Sequence, residues 1–283
     1  EIGSGLVGSE MCIRDSSFFK EDSAIPDFVR QWFDSLLPIM LVIAGGWLIV
    51  QVAGVDVAGA VQAVFMPLQS ALTSPVGFVF FLFLKCFIYS MGISTWVLTP
   101  VDEPVKLAVI TANLELVAAG VATYQNLGIF TETFMFCTYL WIGGVGCTLS
   151  LCLLMMVICK SSELKALGRA CIVPGIFNIN EPIIFGAIAW NPLLMLPMWL
   201  QGIILPIVTY IFTKVIPFAP IPRIQFDLWY CPYPISTFIA TQGSITGVIF
   251  AILTFVLSAV IWFPFLKAYD DQKVKEEAAA IKA

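Results

Sequence analysis

There is no histidine anywhere in the 283 residues. That absence removes imidazole-based catalytic triads, histidine-ligated zinc sites and any phosphohistidine. Charge is scarce as well: Asp, Glu, Lys and Arg together make up 12% of the chain, against about 25% in soluble domains. With 59% hydrophobic residues and a mean hydropathy of +0.94, a soluble fold would have too few charges to cover its surface. The eight cysteines are scattered without a CxxC pair, so metal-ligand spacing is missing and most read as small hydrophobes in apolar runs. No GK[ST] follows the glycines at 143, 144 and 146, which rules out a phosphate loop. The net charge of −5 says little about partners, because few charges lie outside the termini and one loop.

What the chain does have is apolar runs near the roughly 20 residues that cross about 30 Å of hydrocarbon. Residues 36–54 read as a first membrane helix. Residues 55–74 place Val57, Val61, Val64, Leu68 and Leu72 near one helical face, the pattern of an amphipathic helix lying at the interface. Spans follow at 75–98, interrupted only by Lys85, and at 134–159, the strongest of all. Residues 107–121 are shorter and mixed, and either cross or re-enter. Further spans are expected at 193–213 and 245–266. The glycines inside 134–159 suit close helix approach. The basic cluster Lys160, Lys165 and Arg169 and the charged tail 267–283 assign both to the cytoplasmic side. An even number of crossings must then connect them, with 172–190 either dipping in and returning or crossing.

Residues 1–16, EIGSGLVGSEMCIRDS, resemble a translated adapter scar. They lack the basic and apolar regions of a signal peptide. If they are a scar, the natural protein starts further upstream and this chain is N-terminally truncated.

Backbone at membrane depth must be satisfied by protein or by a water-filled cavity, so polar breaks in an apolar pattern point to function. Residues 174–192, PGIFNINEPIIFGAIAWNP, form one such break. Pro174 and Pro182 bracket Asn178, Asn180 and Glu181, and proline disfavours helix at the residue before it. Two amides and a carboxylate offer acceptors and donors matched to sugar hydroxyls. An intramembrane Glu is costly and is read as functional by default; capping the next half-helix, with Pro182 at its first position, is the structural alternative. A second polar stretch, 91–115, carries Ser94, Thr95, Asp102, Glu103, Lys106 and Asn113. Pro100 and Pro104 are expected to break any continuous helix there. Asp102, Glu103 and Lys106 read as a solvated loop, whereas Ser94 and Asn113 are candidates for a cavity. Lys85 either snorkels or pairs with a carboxylate. In a third stretch, 230–244, Thr237, Thr241 and Gln242 either face the same cavity or cap the last span.

The run VPGIFNINEPIIFG with the following Asn191-Pro192 resembles the signature of the membrane subunit, enzyme IIC, of lactose/cellobiose phosphotransferase permeases. WIGGVGCTLSL and KSSELKALGRA resemble the same family in the same order, as do 28–43, 91–98 and 232–243. The resemblance implies an all-α integral membrane protein, a polytopic helical transporter with broken or re-entrant helices. It implies a scaffold end with an amphipathic connector over 17–74, a sugar transport domain over 75–266 and a cytoplasmic tail over 267–283. It implies group translocation: an external sugar, commonly a β-linked disaccharide such as cellobiose, chitobiose or lactose, is bound, carried inward and phosphorylated by a soluble IIB partner. That partner is itself charged through IIA. Glu181 would hold the hydroxyl to be phosphorylated, Asn180 would contact the sugar, and Asn178 would support or contact it. Many members carry histidine after Gly-Ile, where this chain reads Gly92-Ile93-Ser94-Thr95. The expected setting is a bacterial cell membrane, with a homodimer for the full-length protein, no cofactor and no nucleic acid. From the residues alone, a proton-coupled sugar transporter using Glu181 remains the alternative.

Overall fold

A computed structural model describes residues 27–56, 60 and 68–282. Every regular element among them is helical. Residues 1–61 form one unit and residues 62–283 a second. The expected scar, 1–16, and half of the expected amphipathic connector, 55–74, lie outside the described residues.

The first unit contributes α1, Asp27–Trp47, which continues as a π-helical turn over Leu48–Val52. Its apolar side chains from Ile39 to Val52 are exposed, as expected of a helix whose surroundings are hydrocarbon. In the second unit α2 spans Pro75–Ser90; Ser74 accepts a hydrogen bond from the Gly77 amide and proline opens the first turn, a regular start for a helix. After a turn and a short 3₁₀ segment, Thr95–Leu98, α3 runs from Thr99 to Ala118. The expectation that Pro100 and Pro104 break this stretch is corrected. Pro100 lies in the first turn, where its missing N–H has no intrahelical partner to lose, and Pro104 is carried inside the same helix.

The segment read as the strongest span, 134–159, is two short helices instead of one. The first is α4, Glu132–Phe134 with a π turn over Met135–Tyr139. The second is α5, Leu149–Val157. Between them the chain leaves helical geometry, with Gly143, Gly144, Gly146 and Cys147 all at positive φ. The glycines serve a backbone break that L-residues resist, and the reading of them as a helix-packing stripe is corrected. α6, Ser162–Ile176, folds back on α5. A second break at 177–180 separates it from α7, Glu181–Ile183 with a π turn over Ile184–Ile188. Then come α8, Pro192–Tyr210, extended by a π turn over Ile211–Val215, a long irregular stretch, α9, Ile235–Ala240, and α10, Ile245–Lys282.

Among the described residues two helices are long and apolar enough to cross a membrane, within Pro192–Val215 and Ile245–Ala280. Their polarity is inverted relative to a soluble fold. On α10, Ile245, Ile252, Leu253, Val256 and Val260 are exposed, whereas Thr254 and Ser258 are buried. The buried polar groups bond to one another: Ser150 and Ser258 hydroxyls lie 2.8 Å apart, and Gln201 Nε2 donates to the Ser258 carbonyl at 3.0 Å. Apolar outside and hydrogen-bonded inside is the arrangement hydrocarbon favours. α2 packs along α8 at Gly202, where a Cβ would stand 2.8 Å from the Phe83 Cα; that approach needs glycine. At about 1.5 Å per residue, α10 exceeds the thickness of the hydrocarbon core. Its apolar part ends at Leu266, and its charged end docks on the loop before α6. Asp270 accepts the Lys160 and Ser161 amides, and Glu277 accepts the Ser161 hydroxyl and the Ser162 and Glu163 amides.

Candidate functional site

The two helix breaks, 140–148 and 177–180, meet face to face, and asparagine side chains of the second satisfy backbone groups of the first. The Gly143 amide donates to Asn178 Oδ1 at 2.7 Å. Asn180 Nδ2 donates to the Val145 carbonyl at 2.8 Å. Asn178 Nδ2 also donates to the Trp229 carbonyl, which brings in the irregular stretch before α9. Asn178 has φ +61, a left-handed conformation that asparagine tolerates better than most residues. Gly144, at φ +92, presses its backbone against the Asn180 amide; a Cβ there would lie 2.4 to 2.7 Å from Asn180 Cγ, Oδ1 and Nδ2. Glycine is thus required by conformation and by space at once. The π turns Met135–Tyr139 and Ile184–Ile188 each adjoin a break, a placement frequent at functional sites.

A cavity of ≈ 120 Å³ opens at this meeting point, inside a cleft whose total empty space, mouth included, is ≈ 690 Å³. Only the whole cleft reaches the roughly 300–1,000 Å³ of small-molecule sites. Its wall holds Asn178 and Asn180 from the second break, Glu181 from the start of α7, Gly144 and Val145 from the first break, Tyr89 from α2, Trp96 from the 3₁₀ segment and Trp229 from the irregular stretch before α9. Tyr89 Oη donates to Asn180 Oδ1 at 3.3 Å and lies against the Glu181 carboxylate. The two asparagines spend much of their capacity on the protein, though each keeps a donor and a lone pair. Glu181 differs: it starts α7, is exposed to the cavity, and has no cation within ion-pair distance among the described residues. Glu181 is the side chain freest to accept hydroxyls from a ligand.

Not every candidate reaches the cavity. Ser94 is exposed and caps the 3₁₀ segment, accepting from the Trp96 amide, while its neighbours Thr95 and Trp96 line the cavity. Asn113 is buried on α3 and closes a paired contact with Gly128, donating to its carbonyl at 2.8 Å and accepting from its amide at 2.7 Å. Thr241 donates to the Thr237 carbonyl at 2.6 Å, and Thr237 to the Thr138 carbonyl at 2.8 Å. Asn113 and Thr241 therefore tie backbone together, and neither is among the side chains lining the cavity.

Reading Asp102, Glu103 and Lys106 as a solvated loop is likewise corrected. Asp102 is fully buried, 2.6 Å from the Lys85 ammonium, which sits over the Phe81 and Phe136 rings. Lys106 is held at 2.6 Å by both Glu103 and Glu132 and lies 3.7 Å from Asp102. Lys85, Glu103, Lys106 and Glu132 all line the cavity. Their spacing carried part of this signal, since Asp102 and Lys106 are four apart and share one helix face. No cluster of three or more potential metal ligands occurs among the described residues.

A model of the family described as "Phosphotransferase system, EIIC" matches residues 12–202. The chain is 31% identical over 276 residues to the "PTS system lactose-specific EIICB component" of Lactococcus lactis subsp. lactis, covering 95% of this chain and 47% of that protein. It is 32% identical over 274 residues to the "PTS system cellobiose-specific EIIC component" of Geobacillus stearothermophilus, covering 94% of this chain and 60% of that one. Among solved structures, the transporter ChbC, the IIC component from the N,N'-diacetylchitobiose-specific phosphotransferase system, superposes with a TM-score of 0.70 at 31% identity. That match covers 96% of this chain and 62% of that one. The chain thus spans about half to three fifths of the length of these relatives. With more than half of its residues inside the family match and 96% of its length superposing on a solved member, this chain belongs to the EIIC family of the phosphotransferase system.

Proposed function

We propose that this chain carries the sugar-binding site of a phosphotransferase permease, taking up a β-linked disaccharide and presenting it for phosphorylation by a IIB partner that is charged through IIA. The family is one of membrane permeases, which places the chain in a cell membrane. One observation carries the proposal: two helix breaks bring Asn178, Asn180 and Glu181 into a single cavity beside Tyr89 and Trp229. Sugar hydroxyls donate to carboxylates and exchange hydrogen bonds with amides, and the apolar face of a sugar ring packs on aromatic side chains such as Trp229 and Trp96. Glu181, without a paired cation, accepts the hydroxyl that is to be phosphorylated and takes its proton as the phosphoryl group arrives. The phosphoryl-carrying residue lies on the partner, in keeping with a chain without histidine. We further propose a multi-pass topology with a cytoplasmic C-terminus, and a homodimer in the full-length protein. Family membership favours this reading over a proton-coupled transporter.

The test is phosphorylation of cellobiose, lactose and N,N'-diacetylchitobiose by membranes containing the protein together with the soluble phosphotransferase components. Phosphorylated product that depends on both the donor chain and Glu181, and is lost in Glu181→Gln, supports the proposal. Uptake of unmodified sugar that ignores the donor and follows pH overturns it.

A further inference from the structure

The charges that line the cavity, together with Asp102 buried behind them, exceed what pairing requires. Lys85 and Lys106 face Asp102, Glu103 and Glu132, two cations against three carboxylates, and Glu181 adds a fourth without a cation. Charges at membrane depth are costly and are retained in pairs unless they serve a purpose. Structural pairing alone is satisfied by Lys85 with the fully buried Asp102, and by Lys106 with one glutamate. The second glutamate is the excess.

The geometry shows where that excess points. Lys106, its side chain 7% exposed, holds one oxygen, Oε2, of each glutamate at 2.6 Å. Glu103 and Glu132 are 43% and 21% exposed, and both line the cavity. No protein partner holds the Oε1 atom of either among the described residues. The two come from different elements, Glu103 from α3 and Glu132 from the first residue of α4, so the shared ammonium sets their spacing. The result is a wall of fixed, acceptor-only oxygens in the same cavity as Glu181. A β-linked disaccharide has two rings, and Glu181 with the asparagines serves one.

We infer that Glu103 and Glu132, held in register by Lys106, form a second sugar subsite whose free carboxylate oxygens accept hydroxyls from the ring distal to Glu181. The inference rests on the proposed function and deepens it, because it names the residues that distinguish a disaccharide from a monosaccharide. Glu103 and Glu132 bind; Lys106 is a positioning residue.

The experiment measures equilibrium binding of radiolabelled cellobiose and of methyl β-glucoside to the purified chain in lipid nanodiscs, for wild type, Glu103→Gln, Glu132→Gln, Glu181→Gln and Lys106→Met. A hydrogen bond to a charged acceptor is worth enough for about a tenfold change in affinity. The subsite predicts a loss of about that size for cellobiose in Glu103→Gln and Glu132→Gln, with methyl β-glucoside binding held within about twofold. Lys106→Met behaves like the pair of glutamate variants, and Glu181→Gln weakens both ligands. If Glu103→Gln and Glu132→Gln leave cellobiose unchanged while Glu181→Gln weakens both sugars, the subsite is overturned and the proposed function stands. Equal losses for both sugars, with a lowered melting temperature, assign the glutamates a purely structural role and also overturn it. A wild-type chain that binds neither sugar, nor lactose nor diacetylchitobiose, overturns the proposed function together with the inference.

Discussion

Replacing Gly144 with alanine perturbs the site at the point where its two breaks touch. Gly144 has φ +92, and an added Cβ would lie 2.4 Å from Asn180 Cγ, 2.6 Å from Oδ1 and 2.7 Å from Nδ2. Holding alanine at such a φ costs about 1–3 kcal/mol. The overlap also displaces the Asn180 amide, which ends its bonds to the Val145 carbonyl and from the Tyr89 hydroxyl; two buried hydrogen bonds add about 1–3 kcal/mol. The total loss of stability is therefore about 2–6 kcal/mol. Because the displaced amide lines the cavity, cellobiose affinity falls by about tenfold or more as well. Gly146→Ala is the control. Its φ is +90, but its Cβ meets only Met198 side-chain atoms, at 3.2 and 3.3 Å, and that flexible chain gives way. It loses only the conformational part, about 1–3 kcal/mol, and keeps its sugar affinity. Thermal denaturation in nanodiscs and equilibrium dialysis with cellobiose measure both quantities. A Gly144→Ala protein that binds cellobiose as tightly as wild type refutes the reasoning, as does a Gly146→Ala protein that loses affinity equally.

Three further outcomes are expected. Lys85→Met leaves the fully buried Asp102 without its close cation and destabilises the protein by about 3–5 kcal/mol; the double change Lys85→Met with Asp102→Leu recovers most of that loss in a melting experiment. Asn113→Ala strands the Gly128 amide and carbonyl and lowers stability by about 2–4 kcal/mol, while cellobiose affinity measured on the folded fraction is unchanged. The Glu277 carboxyl lies beyond the apolar part of α10 and is pushed down to about 2, first by the Glu163 amide and then by the Ser161 hydroxyl. A lowered folded-state value means the contact's stabilisation is complete above the ordinary carboxylate range, about 4.3, and is lost as pH falls toward 2. The hydrogen-exchange protection of residues 160–163, taken relative to the intrinsic rate at each pH, is therefore flat from pH 7 to about 5 and falls below about 4. In Glu277→Gln the protection is weaker throughout and loses this pH dependence.

The second break was legible in the sequence because Pro174 and Pro182 frame Asn178, Asn180 and Glu181, and each of those residues resists a continuous apolar helix. The first break was hidden. WIGGVGCTLS is apolar enough to read as part of a span, and glycines serve close packing and positive φ equally well. Their cluster within four residues was the available signal. The charged group is hidden locally because Pro100 and Pro104 suggest a loop, while the i, i+4 spacing of Asp102 and Lys106 is the weaker signal. Pro100 begins a helix, and Asp102, Glu103 and Lys106 then fall on a turn that faces Lys85 and Glu132, contacts that no local pattern encodes. Asn113 and Thr241 were reasonable cavity candidates by polarity, but folding commits them to Gly128 and Thr237. Tyr89 and Trp229 enter the cavity from elements far away in sequence, and nothing in their neighbours announces it.

Sugar is expected to bind where breaks 140–148 and 177–180 meet. A structure of the protein with cellobiose bound tests it most directly. The sugar is expected between Asn178, Asn180, Glu181 and Trp229, with one hydroxyl on the Glu181 carboxylate and the second ring toward Glu103 and Glu132. Sugar found outside this cleft, for instance in the apolar groove between α2 and α8 lined by Phe80, Phe83 and Ile207, contradicts it.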